Sequence, residues 1–373
     1  MSSGRAVIAA DYCGPYAGSF IPMLRAAMVE CEARGLAATA VLPGRAQGRP
    51  WLSHLAGLET RFLPSSSRAR SVPWLRRLLA DQPGPTVLHT HFSRFDMPGV
   101  AAALGRSRVR VVWHTHTVMS ESQTMRAANR IKLSAVGRRV DRILCVGPQL
   151  AEEVIARGAR PERVFYFPNG LDTDVYTVPT PAERAAARET LGVAPNATVV
   201  LHFGRDWLLK GGDVFLRAIA RMRASHPGLV AISVWGGDPG RSMAEELGIG
   251  DAVLTPGPAA DARPLYAAAD VLMSPSRGEG ALPLTVLEAL AGGLRVVVSD
   301  IPAHAIPGAE LPNMVVAPLD PDALAAATGR LLERAPDMAE RDARATRAWL
   351  ERERGLAPWA RRVVDVYEEL VSA

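Results

Sequence analysis

The strongest constraint in this sequence is a rhythm. Short apolar runs recur, each followed by a turn and then, in most cases, by apolar residues at helical spacing. "AVIAA" (6–10), "AATAVLP" (37–43), "TVLHTHF" (86–92), "VRVVWHTH" (109–116), "RILCVG" (142–147) and "VFYFPNG" (164–170) all have the length of a strand. "FIPMLRAAMVECEARG" (20–35) lies between the first two and has the spacing of a helix, with Gly35 as its stop. Such alternation predicts βα units around a parallel sheet, because parallel strands need a crossover and a helix usually supplies it.

The rhythm stops at "VPTPAERAAARETLGVAP" (178–195), which is rich in Pro and Ala and carries no strand. It restarts at "TVVLHFG" (198–204) and continues through "LVAISVWGG" (229–237), "AVLTPG" (252–257), "DVLMSPS" (270–276), "LRVVVSD" (294–300) and "NMVVAP" (313–318). The chain therefore reads as α/β, with two Rossmann-like domains and a boundary near residues 172–182. Twin domains of this kind imply a cleft, and ligands of open parallel sheets bind beyond the carboxyl ends of the strands. The stretch "APWARRVVDVYEELV" (357–371) reads as a lone amphipathic helix.

A length of 373 residues suits two domains, and 48% hydrophobic with 22% charged residues suits a full core. No apolar run reaches the roughly 18–20 residues of a membrane span. The first residues lack the apolar core and cleavage site of a signal peptide, so the expectation is a cytoplasmic protein, at most peripheral to the inner face of the membrane. Cys13, Cys31 and Cys145 form no C-x-x-C spacing, which argues against a zinc knuckle or a disulfide framework. Residues 1–80 hold 10 Arg against four acids. That excess suits a membrane surface or an anionic ligand better than nucleic acid. "RARSVPWLRRLLA" (68–80) sets Trp74, Leu75, Leu78 and Leu79 among arginines, and reads either as a helix on anionic lipid or as a domain helix with a solvated arginine face.

The loops after strands carry the chemistry. In "HFGRDWLLKGG" (202–212), Arg205 and Lys210 lie between a strand and a helix. Of 43 basic residues only Lys132 and Lys210 are lysine, so a lysine here is not the chain's default cation. Arginine grips phosphate oxygens with a fork, and lysine adds a compact point charge. The following helix points its N-terminal N–H groups at the same space, so a diphosphate suits this loop. In "SPSRGEGALPLTVLEALAGG" (274–293), Glu279 and Gly280 lie in the loop, with Pro283 or Leu284 as the first helical residue. Glu288 then lies more than one turn into the helix, where a carboxylate can accept both hydrogen bonds of a ribose diol. Free N–H groups around Gly280, Ala281, Leu282, Leu284 and Thr285 can cap a phosphate. In the first domain, Gly18 and Ser19 follow the first strand, and glycine there lets backbone approach a ligand. His89/His91 and His114/His116 are H-x-H pairs at strand ends, but no acid is clustered with them and no metal is expected. His202, in mid-strand, reads as structural.

These stretches resemble the retaining glycosyltransferases of the GT-B fold, and among them the family-four enzymes that use nucleotide sugars. "FPNGLDTDVY" is similar to the family's segment before the interdomain linker, and "HFGRDWLLKGGDVFLRAI" to its phosphate loop. "LYAAADVLMSPSRGEGALPLTVLEALAGG" carries the most specific likeness, and "WGGDP" stands where the family has a glycine-rich turn. The resemblance covers nearly the whole chain. It implies an acceptor-side domain over 1–175 completed by the last helix, 357–373, and a nucleotide-sugar domain over 176–356. It implies that Arg205 and Lys210 neutralise the diphosphate, that Glu288 binds the ribose, and that Glu279 stands beside the donor sugar. It further implies that His116 lies near the sugar's distal hydroxyls and that Ala17, Gly18 and Ser19 approach the phosphates. The family has seven residues between its two acids, whereas eight separate Glu279 from Glu288 here.

The expected activity is sugar transfer from a nucleoside-diphosphate sugar with retention, using no cofactor and no metal. The expected acceptor is a small specialised metabolite or a lipid-linked or polysaccharide intermediate. The basic first domain allows peripheral membrane contact, and no nucleic acid is expected. A sugar-nucleotide epimerase or phosphorylase on the same fold, and a non-catalytic binding module, are the rival readings. A dehydrogenase is weaker, since no G-x-G-x-x-G follows the first strand.

Overall fold

The computed structural model describes residues 4–64, 67–80, 84–117, 123–234, 239–257 and 261–372. It divides into two compact units, Met1–Asp172 with Arg354–Ala373, and Thr173–Glu353.

The first unit contains β1 (Arg5–Ala10), α1 (Phe20–Ala33), β2 (Ala37–Pro43), β3 (Thr60–Leu63), α2 (Arg68–Ala80), β4 (Thr86–His91), α3 (Asp96–Ala103), β5 (Val109–Thr115), α4 (Gln123–Ile131), β6 (Arg142–Cys145), α5 (Pro148–Ala156) and β7 (Val164–Tyr166). The second contains α6 (Pro181–Thr190), β8 (Thr198–Phe203), α7 (Gly212–Arg223), β9 (Leu229–Val234), α8 (Pro239–Glu246), β10 (Val253–Leu254), α9 (Arg263–Ala268), β11 (Val271–Ser274), α10 (Leu284–Ala291), β12 (Arg295–Ser299), β13 (Met314–Ala317), α11 (Pro321–Leu332) and α12 (Pro336–Glu353). The last helix, α13 (Leu356–Ser372), belongs to the first unit.

Both sheets are parallel, in the orders β3-β2-β1-β4-β5-β6-β7 and β10-β9-β8-β11-β12-β13. Helices cover both faces of such sheets, which is why the strands are continuous apolar runs rather than alternating ones. On one face of the first sheet, Ile21 and Met28 of α1 and Val363, Val364 and Tyr367 of α13 pack against Ile8 and Val87. On the other, Leu75 and Leu79 of α2 pack against Val7 and Leu88. The 68–80 stretch is therefore a domain helix. In the second unit, Phe215 and Ile219 of α7 pack against Val200 and Met273.

Local chemistry explains several boundaries. Gly35, at φ +76°, stops α1, a left-handed conformation that glycine tolerates best. The strandless 178–195 stretch contains α6, whose first turn is a capping box. The Thr180 hydroxyl accepts from Glu183 N, and the Glu183 carboxylate accepts from Thr180 N. Pro283 precedes α10 as its cap, at φ −58° and ψ 141°, so Leu284 is the first helical residue.

Each sheet reverses its strand order once, between β1 and β4 and between β8 and β11. Loops at such switch points diverge and leave a crevice at the strand ends. Gly18 and Ser19 follow β1, Arg205 and Lys210 follow β8, and Glu279 follows β11.

Candidate active site

In the second unit, the loops after β8 and β11 are in direct contact. Gly211 has φ +68°, and a Cβ there would lie 1.8 Å from the Pro275 carbonyl oxygen. A Cβ on Gly212 would lie 2.1 Å from the Trp207 ring. The glycine pair beside Lys210 thus lets one loop lie against the other. Arg277 locks the contact. Its backbone N–H donates to Leu209 O at 2.8 Å, and its guanidinium donates to Leu208 O and to both carboxylate oxygens of Asp213. That fork holds the Asp213 carboxyl below the usual carboxylate range.

The clamp brings Lys210 to Glu279. The ammonium donates to Glu279 Oε1 at 2.5 Å, and the Ser276 hydroxyl donates to the same oxygen at 2.7 Å. Two buried histidines support the loops from below. His202 Nε2 donates to Lys210 O at 3.1 Å, so this histidine is structural and fixes the lysine's backbone. Its Nδ1 accepts from the Ser233 hydroxyl, and burial pushes its pKa down to about 4. Ser299 at the end of β12 donates to Ser276 O at 2.6 Å, and His304 Nδ1 donates to Ser299 O at 2.7 Å. Arg205 is exposed and has no hydrogen-bond or ion-pair partner among the described residues.

Glu288 lies in the second turn of α10, buried, and accepts from the Tyr266 hydroxyl at 2.7 Å. Burial and the neighbouring carboxylate hold the Tyr266 phenol well above its usual range. Glu288 also lines a cavity of about 410 Å³ with Tyr176, Arg263 and Tyr266. Of the eight residues between Glu279 and Glu288, four are helical and four form the bent loop 280–283. The longer spacing leaves the register of α10 unaffected once the helix has begun. The N–H groups of Ala281, Leu282, Leu284 and Thr285 have no partner among the described residues. Leu282 is buried, while Gly280, Leu284 and Thr285 are half-buried.

The first unit holds a second group of the expected residues. Gly18, at φ +52°, and buried Ser19 lead into α1, and the Tyr12 hydroxyl donates to Tyr16 O and Ala17 O beside them. His116 follows β5. Its Nε2 is 2.9 Å from His91 Nδ1, and its ring stacks on Phe92 at 4.7 Å. Burial pushes the pKa of His116 down to about 3. His89, His91 and His114 are buried beside it, with ring nitrogens within 4.8 Å of one another. His89 lies parallel to His114 and His114 nearly parallel to His116, while the His91 ring is tilted against both His89 and His114. His89 Nδ1 is held by the Tyr367 hydroxyl at 2.6 Å. Phe92 and Ser93 both have positive φ, which is uncommon outside glycine and marks a strained turn beside His91. Of "WGGDP", residues 235–238 lie outside the described residues.

Tyr266, Ser276, Ser299 and His304 were not among the residues expected from sequence. Tyr266 stands within a recognisable segment, but nothing local signals its bond to a residue 22 positions later.

Residues 32–175 match the family model described as Glycosyltransferase Family 4, and residues 197–334 match that of Glycosyl transferases group 1. The chain belongs to the family-four-type glycosyltransferases. The chain is 31% identical over 268 residues to D-inositol 3-phosphate glycosyltransferase of Mycobacterium sp. (strain KMS), covering 66% of this chain and 58% of that one. The same-named protein of Geodermatophilus obscurus is 32% identical over 271 residues, covering 66% and 59%. The chain thus spans less than two thirds of the length of these relatives. Its fold is that of Anabaena HepE, solved in complex with UDP (TM-score 0.81, 19% identity, 98% of this chain and 100% of that one). Sucrose-phosphate synthase from Thermosynechococcus elongatus is also similar (TM-score 0.76, 19% identity, 99% of both chains). No described helix is long and apolar enough to cross a membrane.

Proposed function

We propose that this glycosyltransferase moves a sugar from a nucleoside-diphosphate sugar to an acceptor, with retention at the anomeric carbon. The observation that carries the reading is the convergence of Lys210, Glu279 and the free N–H groups before α10 at one sheet switch point. The names of the relatives and the UDP and UDP-glucose bound by HepE agree with such a donor.

The diphosphate lies on Lys210, Arg205 and the N–H groups at the start of α10. The ribose diol meets Glu288, which accepts from the Tyr266 hydroxyl, and the base lies in the adjoining cavity. Glu279 holds hydroxyls of the donor sugar. As the bond between the anomeric carbon and the phosphate oxygen breaks, negative charge grows on the diphosphate, where the fixed cations and dipoles stabilise it. The acceptor oxygen attacks on the face the phosphate leaves, and its proton passes to a phosphate oxygen. No metal and no cofactor take part. The acceptor is a small metabolite or a lipid-linked or polysaccharide intermediate.

The test is a thermal-shift screen of UDP, GDP, ADP and TDP, followed by incubation of the stabilising nucleotide's sugar donors with candidate acceptors. Nuclear magnetic resonance then reads the anomeric configuration of the product. The reading is lost if no nucleoside diphosphate raises the melting temperature, and retention is lost if the product is inverted.

A further inference from the structure

The two ends of the second sheet carry different chemistry. Lys210 and Glu279 lie beyond the carboxyl ends of β8 and β11, whereas Asp270 precedes β11 and Arg295 begins β12, at the amino ends. A second cavity, of about 430 Å³, lies on that side, bounded by residues 292–295, by Arg184 and by one face of α12. Ala339, Ala343 and Arg347, four positions apart, form that face, with Glu340 and Arg344 beside them. Two alanines stand where a packed helix would carry large apolar side chains, and the space between helix and sheet stays open.

Four arginines line the cavity against two acids. Three of the four have partners. Arg184 donates to Ala267 O, Ala269 O and Asp270 Oδ1. Arg347 donates to Thr173 O, Tyr176 O and Ala291 O and pairs with Glu351. Arg344 pairs with Glu340. Arg295 is the exception: it is half-buried and has no hydrogen-bond or ion-pair partner among the described residues. Asp270 is already engaged, because Arg184 donates to one of its oxygens and Arg188 and the Val199 N–H to the other. Burial pulls the Arg295 pKa down, Asp270 opposes the shift, and Arg334 and Arg184 add to it. A guanidinium does not escape such a place by losing its proton, so the fork stays charged and partly desolvated among like charges.

We infer that this cavity is a binding site for a small phosphate-bearing anion, with the phosphate on Arg295. The planar fork of a guanidinium matches two phosphate oxygens at once. The excess of two cations over acids in the lining favours a dianion. The volume falls within the range of small-molecule sites, and Leu294, Ala339 and Ala343 offer uncharged walls to the body of a phosphate ester. The site stands apart from the donor diphosphate, which the transferase reading puts at the carboxyl ends of the strands, so either can fail without the other. Pro179 and Gly292 also line the cavity beside Glu288, but Arg295 lines this one alone.

The experiment is calorimetric titration of the full chain with inorganic phosphate and with glucose 6-phosphate, at an ionic strength fixed with sodium chloride. The parent protein carries Lys210→Ala, so that the donor loop does not compete. At least one of the two anions binds: tighter binding of the ester assigns the site to a phosphorylated metabolite, and tighter binding of the inorganic ion assigns it to free phosphate. Arg295→Met, added to the parent, weakens the binding about tenfold or more, the effect of losing a charged hydrogen-bond donor. The unfolding midpoint holds, because methionine keeps an apolar stem and no bond is broken. Ala339→Asp puts a carboxylate into the cavity and weakens the binding as strongly, while its place in the first turns of α12 suits an acid. The proposal is overturned if neither anion binds beyond what chloride alone produces, or if either variant binds them as the parent does.

Discussion

The Lys210 ammonium lies 2.5 Å from Glu279 Oε1, although 69 positions separate the two residues. Adjacency of β8 and β11 in the sheet makes the meeting possible, and the Arg277 clamp and Gly211 make it close. In the pair the lysine is held in place before any phosphate arrives, and the carboxylate keeps the Ser276 hydroxyl as a second donor.

Lys210→Ala removes the point charge while leaving Glu279 bonded to Ser276. Transfer is expected to fall about 10²–10³-fold in kcat, the size of effect seen when one donor to developing charge is lost. The unfolding midpoint stays near wild type, because the lysine is partly exposed and pairs of that kind contribute about 0–1 kcal/mol. Turnover at wild-type rates in a saturating-donor assay would remove Lys210 from the leaving-group role. Arg205→Ala, at a side chain with no partner among the described residues, tests the second cation by the same assay.

Gly211→Ala separates strain from collision. Gly192 also has positive φ, at +67°, but a Cβ there meets nothing within 4 Å. Gly192→Ala is therefore expected to cost only the left-handed strain, about 1–2 kcal/mol. Gly211→Ala adds a Cβ 1.8 Å from a backbone carbonyl, and the two loops must part. It is expected to be destabilised beyond Gly192→Ala and to lose nucleotide binding in calorimetry. Equal denaturant midpoints for the two variants would show that the loops separate freely.

Much of this was legible in the sequence, for a definite reason. Buried parallel strands are continuous apolar runs, so nearly every strand was visible. Thr60–Leu63 was missed because it is four residues long, lies at a sheet edge and buries only Leu63 well. The helix Pro336–Glu353 was missed because only Thr346 and Leu350 are buried along its 18 residues, leaving almost no apolar stripe. Lys210, Glu279 and Glu288 were legible because they lie in two loop-to-helix crossings, the lysine in one and both acids in the other. What joins them was not. The bonds from His202 to Lys210 O, from Ser299 to Ser276 O and from Tyr266 to Glu288 depend on which strands and helices are neighbours, and sheet order is not written in local spacing.

Tyr266→Phe tests one of those unforeseen bonds. It strips a buried carboxylate of a hydroxyl donor, at an expected cost of about 1–3 kcal/mol in unfolding free energy. If Glu288 serves the ribose, the change raises the donor KM with little effect on kcat, since the reacting bond is remote. Glu288→Gln weakens binding of the ribonucleotide, and the loss shrinks for the 2′-deoxy analogue, whose diol is incomplete. A loss as large for the deoxy analogue in calorimetry would detach Glu288 from the ribose.

Acid is expected to weaken the fold from a higher pH than carboxylates alone would set. His89, His91, His114, His116, His202 and His304 all have pKa values lowered primarily by burial, His116 to about 3 and His202 to about 4. The unfolded chain takes up protons on these rings near pH 6.5, whereas the folded chain does not, so stability is fully present above about pH 6.5 and falls as the pH drops towards the folded values. Each ring contributes a slope of about 1.4 kcal/mol per pH unit within that window. The acids held low by arginine partners, Asp213 and Asp261 among them, add their own loss only near and below about pH 4, where unfolded carboxylates protonate. The interval from pH 6.5 to 4 therefore reports on the histidines. Urea unfolding across it should show a steadily falling midpoint, and His116→Asn should flatten the slope by one ring's share. An unchanged slope in that variant would mean that His116 is protonated in the folded protein, and with it that the stacked cluster carries charge.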